Sequence, residues 1–312
     1  MLDLQKFGQA IRQADLRFLL AGILSEVLWL LARGFVWRTL LQNKASYRDT
    51  FISINEGYLL NNILPFRLGE IGRAFLLGRK AHLDFWQVIP SILIERLLDL
   101  AIAVGLFIST LPFVIGIPRA KQVAIVTGII VLVGLGAVYI LARNRQRVLV
   151  WIDKAGERWG LVKRLSGQRV VAFFDGLGII TDSRLFIRAL GWEGINWLVA
   201  VLQYYLFLRA FFPQPSLLWV LFALGVGALG IAAPSSPGAI GVFEAVLVGA
   251  LVVFGVDASS ATAFALAVHF SAYIVTGLIG GYGLYKDGES LSSLYTRLGK
   301  MKSKEQPTSQ DG

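Results

Sequence analysis

The apolar positions of this chain gather into runs of about 20 residues, the length a helix needs to cross a bilayer. The first run covers residues 16–41 and carries Glu26, Arg33 and Arg38; the two arginines lie toward its end, where long stems can snorkel to the interface. The second, residues 46–77, is interrupted by polar residues. The third, residues 88–116, contains Glu95, Arg96 and Asp99, and residues 122–142 form a clean span. A run at 190–212 closes on Pro213 and Pro215. Residues 217–233 stop at Pro234-Ser235-Ser236-Pro237-Gly238, residues 239–255 resume, and 261–284 make the last span. The pattern predicts an all-α, polytopic membrane helix bundle over residues 1–285. The tail at 286–312, rich in Ser and Lys, reads as a disordered cytoplasmic extension.

Two runs are broken in the same way. Asn61-Asn62-Ile63-Leu64-Pro65-Phe66-Arg67-Leu68-Gly69-Glu70-Ile71-Gly72-Arg73 sits inside a segment long enough to span, yet it carries proline, glycines and charge. Proline removes a donor and clashes with the preceding turn, so a helix entering from Ile52 should break near Leu64. Pro65–Gly72 and Pro234–Gly241 both read P-x-x-x-G-x-I-G. Paired, Pro/Gly-interrupted segments point to a transporter's binding site, often within an inverted repeat. Coincidence is the competing reading, because a chain with 33 glycines yields short glycine matches freely.

Composition confirms the class: 55% of residues are hydrophobic and 16% charged, with a mean hydropathy of +0.64. Soluble domains carry about 25% charged residues. No Cys excludes disulfides and thiolate metal sites, and two distant histidines, His82 and His269, do not make a metal cluster. No ATPase motif is present; Gly225-Val226-Gly227-Ala228-Leu229-Gly230 matches a dinucleotide fingerprint without its strand and reads as a decoy. The net charge of +10 lies in loops, which argues for anionic lipid heads rather than nucleic acid. Residues 143–188 hold ten Lys/Arg, with Leu149, Ile152, Trp159, Val162 and Leu165 interleaved as in helices on a membrane face. The positive-inside rule makes this stretch and the tail cytoplasmic. Counting back, the loop at 44–48 and the basic turn at 78–82 are cytoplasmic too. Residues 51–77 then form a re-entrant hairpin, and residues 1–17 fall outside. Residues 217–255 start and end outside, as a second hairpin or as two spans.

Charge at the breaks supplies the candidate chemistry. Each break frees backbone N–H groups where a second half-helix starts, near Gly69 and at Pro237-Gly238, and helix N-termini bind anions. Arg67, Glu70 and Arg73 are spaced to share one face of a short helix, and the arginine fork suits phosphate. Arg96 and Asp99 pair at i, i+3, leaving Glu95 for Arg67 or Arg73. Glu244 is the ionisable group one turn beyond the second break. Asn61 and Asn62 serve freed carbonyls, with ligand contact by Asn62 as the alternative. Each charge has a bland counterpart reading as an internal ion pair, but intramembrane charges are functional by default. His269, standing alone in the last run, reads as a packed histidine, Gln203 as a helix–helix hydrogen bond, and Gly277/Gly281 as a close-packing G-x-x-x-G face.

Three motifs carry a resemblance: N-N-x-x-P-x-R-x-G-E from Asn61 to Glu70, E-R-x-x-D from Glu95 to Asp99, and P-x-S-P-G-x-I-G-x-x-E from Pro234 to Glu244. They resemble the flippase-like membrane family related to the transmembrane part of lysylphosphatidylglycerol synthases, over residues 2–285. The resemblance implies action on lipids or lipid-linked carriers, with translocation between leaflets of the cell membrane as the leading role. Many relatives begin with one more transmembrane helix, and some carry a soluble aminoacyltransferase domain not seen after Leu284. The expected substrate site is therefore Asn62, Arg67, Gly69, Glu70, Arg73, Glu95, Arg96, Asp99, Pro237, Gly238 and Glu244, with no catalytic residue, cofactor or metal. Alternatives are a lipid-linked transferase and a non-catalytic partner of a lipid enzyme docking through residues 143–188. Homo-oligomerisation is left open.

Overall fold

The structure is a computed structural model that describes residues 3–114, 120–158, 167–232 and 236–289. The described residues form helices and short turns without a strand. In chain order they are α1 (Leu4–Gln13), α2 (Leu16–Leu40), α3 (Tyr47–Ile63), α4 (Leu68–Ala81), α5 (Phe85–Thr110), α6 (Ala120–Arg143), α7 (Arg145–Arg158), α8 (Gln168–Leu177), α9 (Ser183–Phe211), α10 (Leu217–Ala232), α11 (Val242–Val252) and α12 (Ala258–Lys286). Short-range polar chemistry sets many starts. Asp3, Asp15, Ser46, Asp84, Asp182 and Asp257 each cap a helix by accepting from a backbone N–H two or three residues on. At Asp257 the Ser260 N–H holds the exposed carboxyl below the usual carboxylate range.

Among the described residues, three unbroken helices are long and apolar enough to cross a membrane: Leu16–Leu40, Ser183–Phe211 and Ala258–Lys286. α5 has the length at 26 residues but bears Glu95, Arg96 and Asp99. The paired elements around each break are shorter. At 1.5 Å per residue α3 and α4 are about 25 and 21 Å long, α10 and α11 about 24 and 16 Å, against a hydrocarbon core of about 30 Å. Both pairs fold back on themselves. Gly57 meets Arg73 while Asn61 meets Gly69, and Gly227 meets Leu247 while Gly230 meets Val246. Residues 217–255 are therefore a second hairpin rather than two spans.

The hairpins enter from opposite ends of the bundle. The base of the first lies beside the end of α12, where Lys80 bridges Glu56 and Asp287 at 2.7 and 2.6 Å. The base of the second lies at the other end, where Trp219 contacts Phe212 and Phe254. Their tips touch in the middle. α2 runs antiparallel to α9: the Asp15 N–H donates to the Ala210 carbonyl, Gly22 packs on Phe207, and Asn196 donates to the Trp29 carbonyl. α3 packs on α12 as α10 packs on α5. Exchanging α2–α5 with α9–α12 thus maps contacts onto contacts, with the chain direction inverted.

The shared backbone falls in a different register from the P-x-x-x-G-x-I-G match. Pro65–Arg67 and Pro237–Ala239 are the two 3-10 turns, and each is followed through by two successive left-handed residues: Phe66 and Arg67 at φ 57° and 56°, Gly238 and Ala239 at φ 61° and 58°. Pro65 therefore corresponds to Pro237, in a P-x-x-[Leu/Ile]-G pattern ending at Gly69 and Gly241. Pro234 lies outside the described residues. The misregister arises because glycines three apart in Pro/Gly-rich sequence match in several frames.

Packing overrules one further expectation. Added methyl groups at Gly277 and Gly281 would meet nothing within 4 Å; the close approach to α3 is made at Gly280, against the Asn55 carbonyl, and at Gly283, against Ile52 and Glu56. In the basic stretch, the helix turns through 84° between Gly128–Arg143 and Arg145–Ala155. Leu149 and Ile152 pack inward on a cluster with Phe174 and Leu177, while Val150 and Trp151 face out. Trp159, Val162 and Leu165, and the tail at 290–312, lie outside the described residues.

Candidate functional site

Where the hairpin tips meet, they enclose a cavity of about 650 Å³ with α2, α5, α9 and α12. Six of the expected residues line it: Asn62, Arg67, Glu70, Arg96, Asp99 and Gly238. Its remaining wall is largely apolar and aromatic, including Trp29, Tyr58, Ile71, Trp197, Leu224 and Ile231. The cavity is thus amphipathic, with charge gathered on the α4–α5 side.

The charges form one connected chain. Arg67 meets Glu70 at 3.3 Å, and Glu70 meets Arg96 Nε at 3.7 Å. Arg96 then bridges Asp99 at 3.1 Å and Glu95 at 2.5 Å. Arg33 on α2 grips the same pair from behind: Nη1 donates to Asp99 Oδ1 at 2.9 Å, Nη2 also donates to Asp99 Oδ2, and Nη2 donates to Glu95 at 2.9 Å. Arg33 also reaches Glu193 of α9 at 3.4 Å. Arg73 closes the chain on Glu95 at 2.7 Å, its guanidinium over the Trp37 ring at 4.6 Å. Arginines 33, 67, 73 and 96 face the carboxyl groups of Glu70, Glu95, Asp99 and Glu193.

Burial separates these groups. Arg33, Arg73 and Glu95 are at most 2% exposed, whereas Arg67 is 25% exposed at the open end of the chain. Arg67 is aimed there by backbone strain. Two consecutive non-glycine residues in the left-handed region cost about 1–2 kcal/mol each, and such strain concentrates at functional positions.

Five expected residues do not line the cavity. Gly69 faces α3 instead: a methyl group there would overlap the Gly57 carbonyl and Asn61, so its absent side chain serves hairpin packing. Arg73 and Glu95 lie behind the wall. Arg73 does not share the face of Arg67 and Glu70, and Glu95 has three arginine partners rather than one. Pro237 forms the turn. Glu244 caps α11 by accepting the Gly241 N–H at 2.7 Å, and holds His269 at 2.6 Å.

Several residues here were not read from the sequence. Arg33 was expected to snorkel; the carboxyl groups of Glu95, Asp99 and Glu193 instead hold it in the interior. Glu193 went unremarked, although a carboxylate in an apolar run is itself a signal. His269 does not stand alone: besides Glu244 it contacts the Gly238 carbonyl at 2.9 Å. Gln203 does bridge helices, donating to Glu26 of α2. Asn62 donates to the Thr276 hydroxyl at 3.2 Å rather than to a freed carbonyl.

Residues 1–280 match the family model for the lysylphosphatidylglycerol synthase TM region. A UPF0104 membrane protein of Methanothermobacter thermautotrophicus is 25% identical over 292 residues, spanning 86% of this chain and 84% of its own. No solved structure matches.

Proposed function

Since the chain belongs to the family of the lysylphosphatidylglycerol synthase transmembrane region, we propose that it moves a phospholipid or lipid-linked substrate between leaflets of the cell membrane without hydrolysing ATP. One observation carries this reading: two hairpin tips entering from opposite ends meet at an amphipathic cavity. In it, the Arg67 fork takes a phosphate, as a planar guanidinium does well. Glu70 and Asp99 keep Arg67 and Arg96 from holding that phosphate too tightly to release it. Apolar residues such as Ile71 and Leu224 take the chain next to the head. The basic residues of the 143–188 stretch make its end of the bundle cytoplasmic and draw anionic lipid heads.

The test is leaflet exchange of a fluorescent phosphatidylglycerol in proteoliposomes, read by a membrane-impermeant quencher. The wild-type chain should speed exchange over empty vesicles, and Arg67→Ala/Glu70→Ala should abolish most of the gain. Equal rates for the wild type and the double variant would remove Arg67 and Glu70 from the site. No gain with folded wild-type protein would remove the transport reading itself.

A further inference from the structure

His269 lies on α12 with both ring nitrogens occupied. Nδ1 is 2.6 Å from Glu244 Oε1 and Nε2 is 2.9 Å from the Gly238 carbonyl oxygen. A carbonyl accepts only, and so does an ionised carboxylate. A neutral imidazole has one N–H, so with Glu244 ionised it would turn a lone pair against one of the two oxygens. The contacts close only when the pair carries one additional proton. Glu244 is the partner suited to remain ionised. Its other oxygen accepts the Gly241 N–H at 2.7 Å, and it sits in the first turn of α11, where the helix dipole favours negative charge.

We propose that Glu244 and His269 form the coupling-proton site of the transporter. The proton that makes His269 an imidazolium latches α12 to the second hairpin tip. The latch spans three pieces of chain: α11 through Glu244, the tip through Gly238, and α12 through His269. Tyr273, one turn further along α12, donates to the same Gly238 carbonyl at 2.6 Å. The approach is so close that a side chain at Gly238 would overlap the Tyr273 hydroxyl. Facing the pair are Tyr273 on α12 and, around the cavity, Arg67 and Glu70 of the first hairpin, Arg96 and Asp99 of α5, Glu26 and Arg33 of α2, Tyr58 of α3 and Tyr204 of α9. The first four cavity charges and Arg33 belong to the ion chain and Glu26 accepts from Gln203, so the imidazole's charged partner among the described residues is Glu244.

His269, Gly238 and Tyr273 all line the cavity, so a proton can reach the ring from the space the substrate uses. When the proton leaves, one of the two His269 contacts becomes a repulsion, so the latch between α11, the tip and α12 loses one of its joints while Tyr273 still donates to the tip. That tip is the one in contact with the tip of the first hairpin. Protonation therefore controls whether the two hairpins stay closed against each other, the step that must alternate for the cavity to change sides.

The coupling rests on the transport reading, whereas the proton site can be tested apart from it. The chain has only two histidines, so ring-15N-histidine labelling of the full chain in lipid nanodiscs gives two pairs of ring signals, assigned with His82→Gln. The expected result is a doubly protonated His269 ring at neutral pH that loses its second proton in Glu244→Gln. A neutral His269 ring beside an intact Glu244 would overturn the site. Coupling is read in proteoliposomes containing trace fluorescent phosphatidylglycerol, with an imposed difference of one pH unit. One proton per lipid would drive up to about a tenfold leaflet asymmetry, the factor that one pH unit represents. His269→Gln should leave the leaflets symmetric. Wild-type exchange that stays symmetric under every gradient would overturn the coupling while leaving transport intact; absence of any exchange would count against transport and leave the ring measurement to judge the proton site.

Discussion

Replacing Arg33 with methionine should be among the most destabilising single changes available in this chain. The side chain is 1% exposed and meets Glu95, Asp99 and Glu193 from three directions. Methionine keeps much of its length but no charge. Glu95 would keep Arg73 and Arg96, and Asp99 would keep Arg96. Glu193 would keep the Trp197 indole N–H at 2.9 Å, with no cation among its described partners. Breaking a buried ion pair by removing one partner costs about 3–5 kcal/mol. An exposed pair such as Lys6–Asp257, 3.9 Å apart, contributes little, because solvent screens it. The two changes should thus differ by several kcal/mol when unfolding is followed in the same nanodisc preparation. Arg33→Lys should recover only part of the loss, because an ammonium cannot reproduce the fork that grips Asp99 at both oxygens. If Arg33→Met costs no more than Lys6→Ala, the buried network is not what holds α2, α5 and α9 together.

Other outcomes follow from packing and layout. Gly69→Ala should cost about 1–3 kcal/mol of overpacking, because the methyl group meets the Gly57 carbonyl; Gly277→Ala, with open space around it, should be neutral or gain up to about 1 kcal/mol of helix propensity, and thermal unfolding of the two variants should separate them. Single cysteines placed at Lys44 and Arg145 in this cysteine-free chain should react with an impermeant maleimide from one side of the membrane, and a cysteine at Trp219 from the other; labelling of all three from one side would break the opposed arrangement of the hairpins. The leaflet-exchange loss in Arg67→Ala/Glu70→Ala and the lost pH response in His269→Gln complete the set.

The broken segments were legible because proline and glycine act locally: Pro65 ends α3 wherever the chain goes next. The spans at Leu16–Leu40, Ser183–Phe211 and Ala258–Lys286 followed from run length, which is likewise local. The cavity residues Arg67, Glu70, Arg96 and Asp99 announced themselves as charges in apolar sequence. Which of their neighbours face lipid head and which face protein was not legible, since that depends on partners far along the chain. Arg33 and Glu193 are 160 positions apart in sequence and 3.4 Å apart in space. Gly69 shows the same limit from the other side: a glycine at a helix start reads equally as an anion-binding turn or as room for a neighbouring helix. Only the position of α3 decides, and it decides for packing. The register of the repeat was hidden too, because left-handed backbone at Phe66, Arg67 and Ala239 leaves no mark in residue type.

The opposed hairpins also have an electrical consequence. Each reaches from one end of the bundle to the middle, so the barrier between the two aqueous sides narrows to the junction of the tips. Where water enters the half-open cavity, the membrane potential falls over that short junction rather than over the whole bilayer. A charge carried past it would sense nearly the full field, about 2.3 kcal/mol per elementary charge per 100 mV. Arg67, Gly238 and His269 stand beside that junction, so on the transport reading proposed above the rate should respond to voltage as well as to substrate.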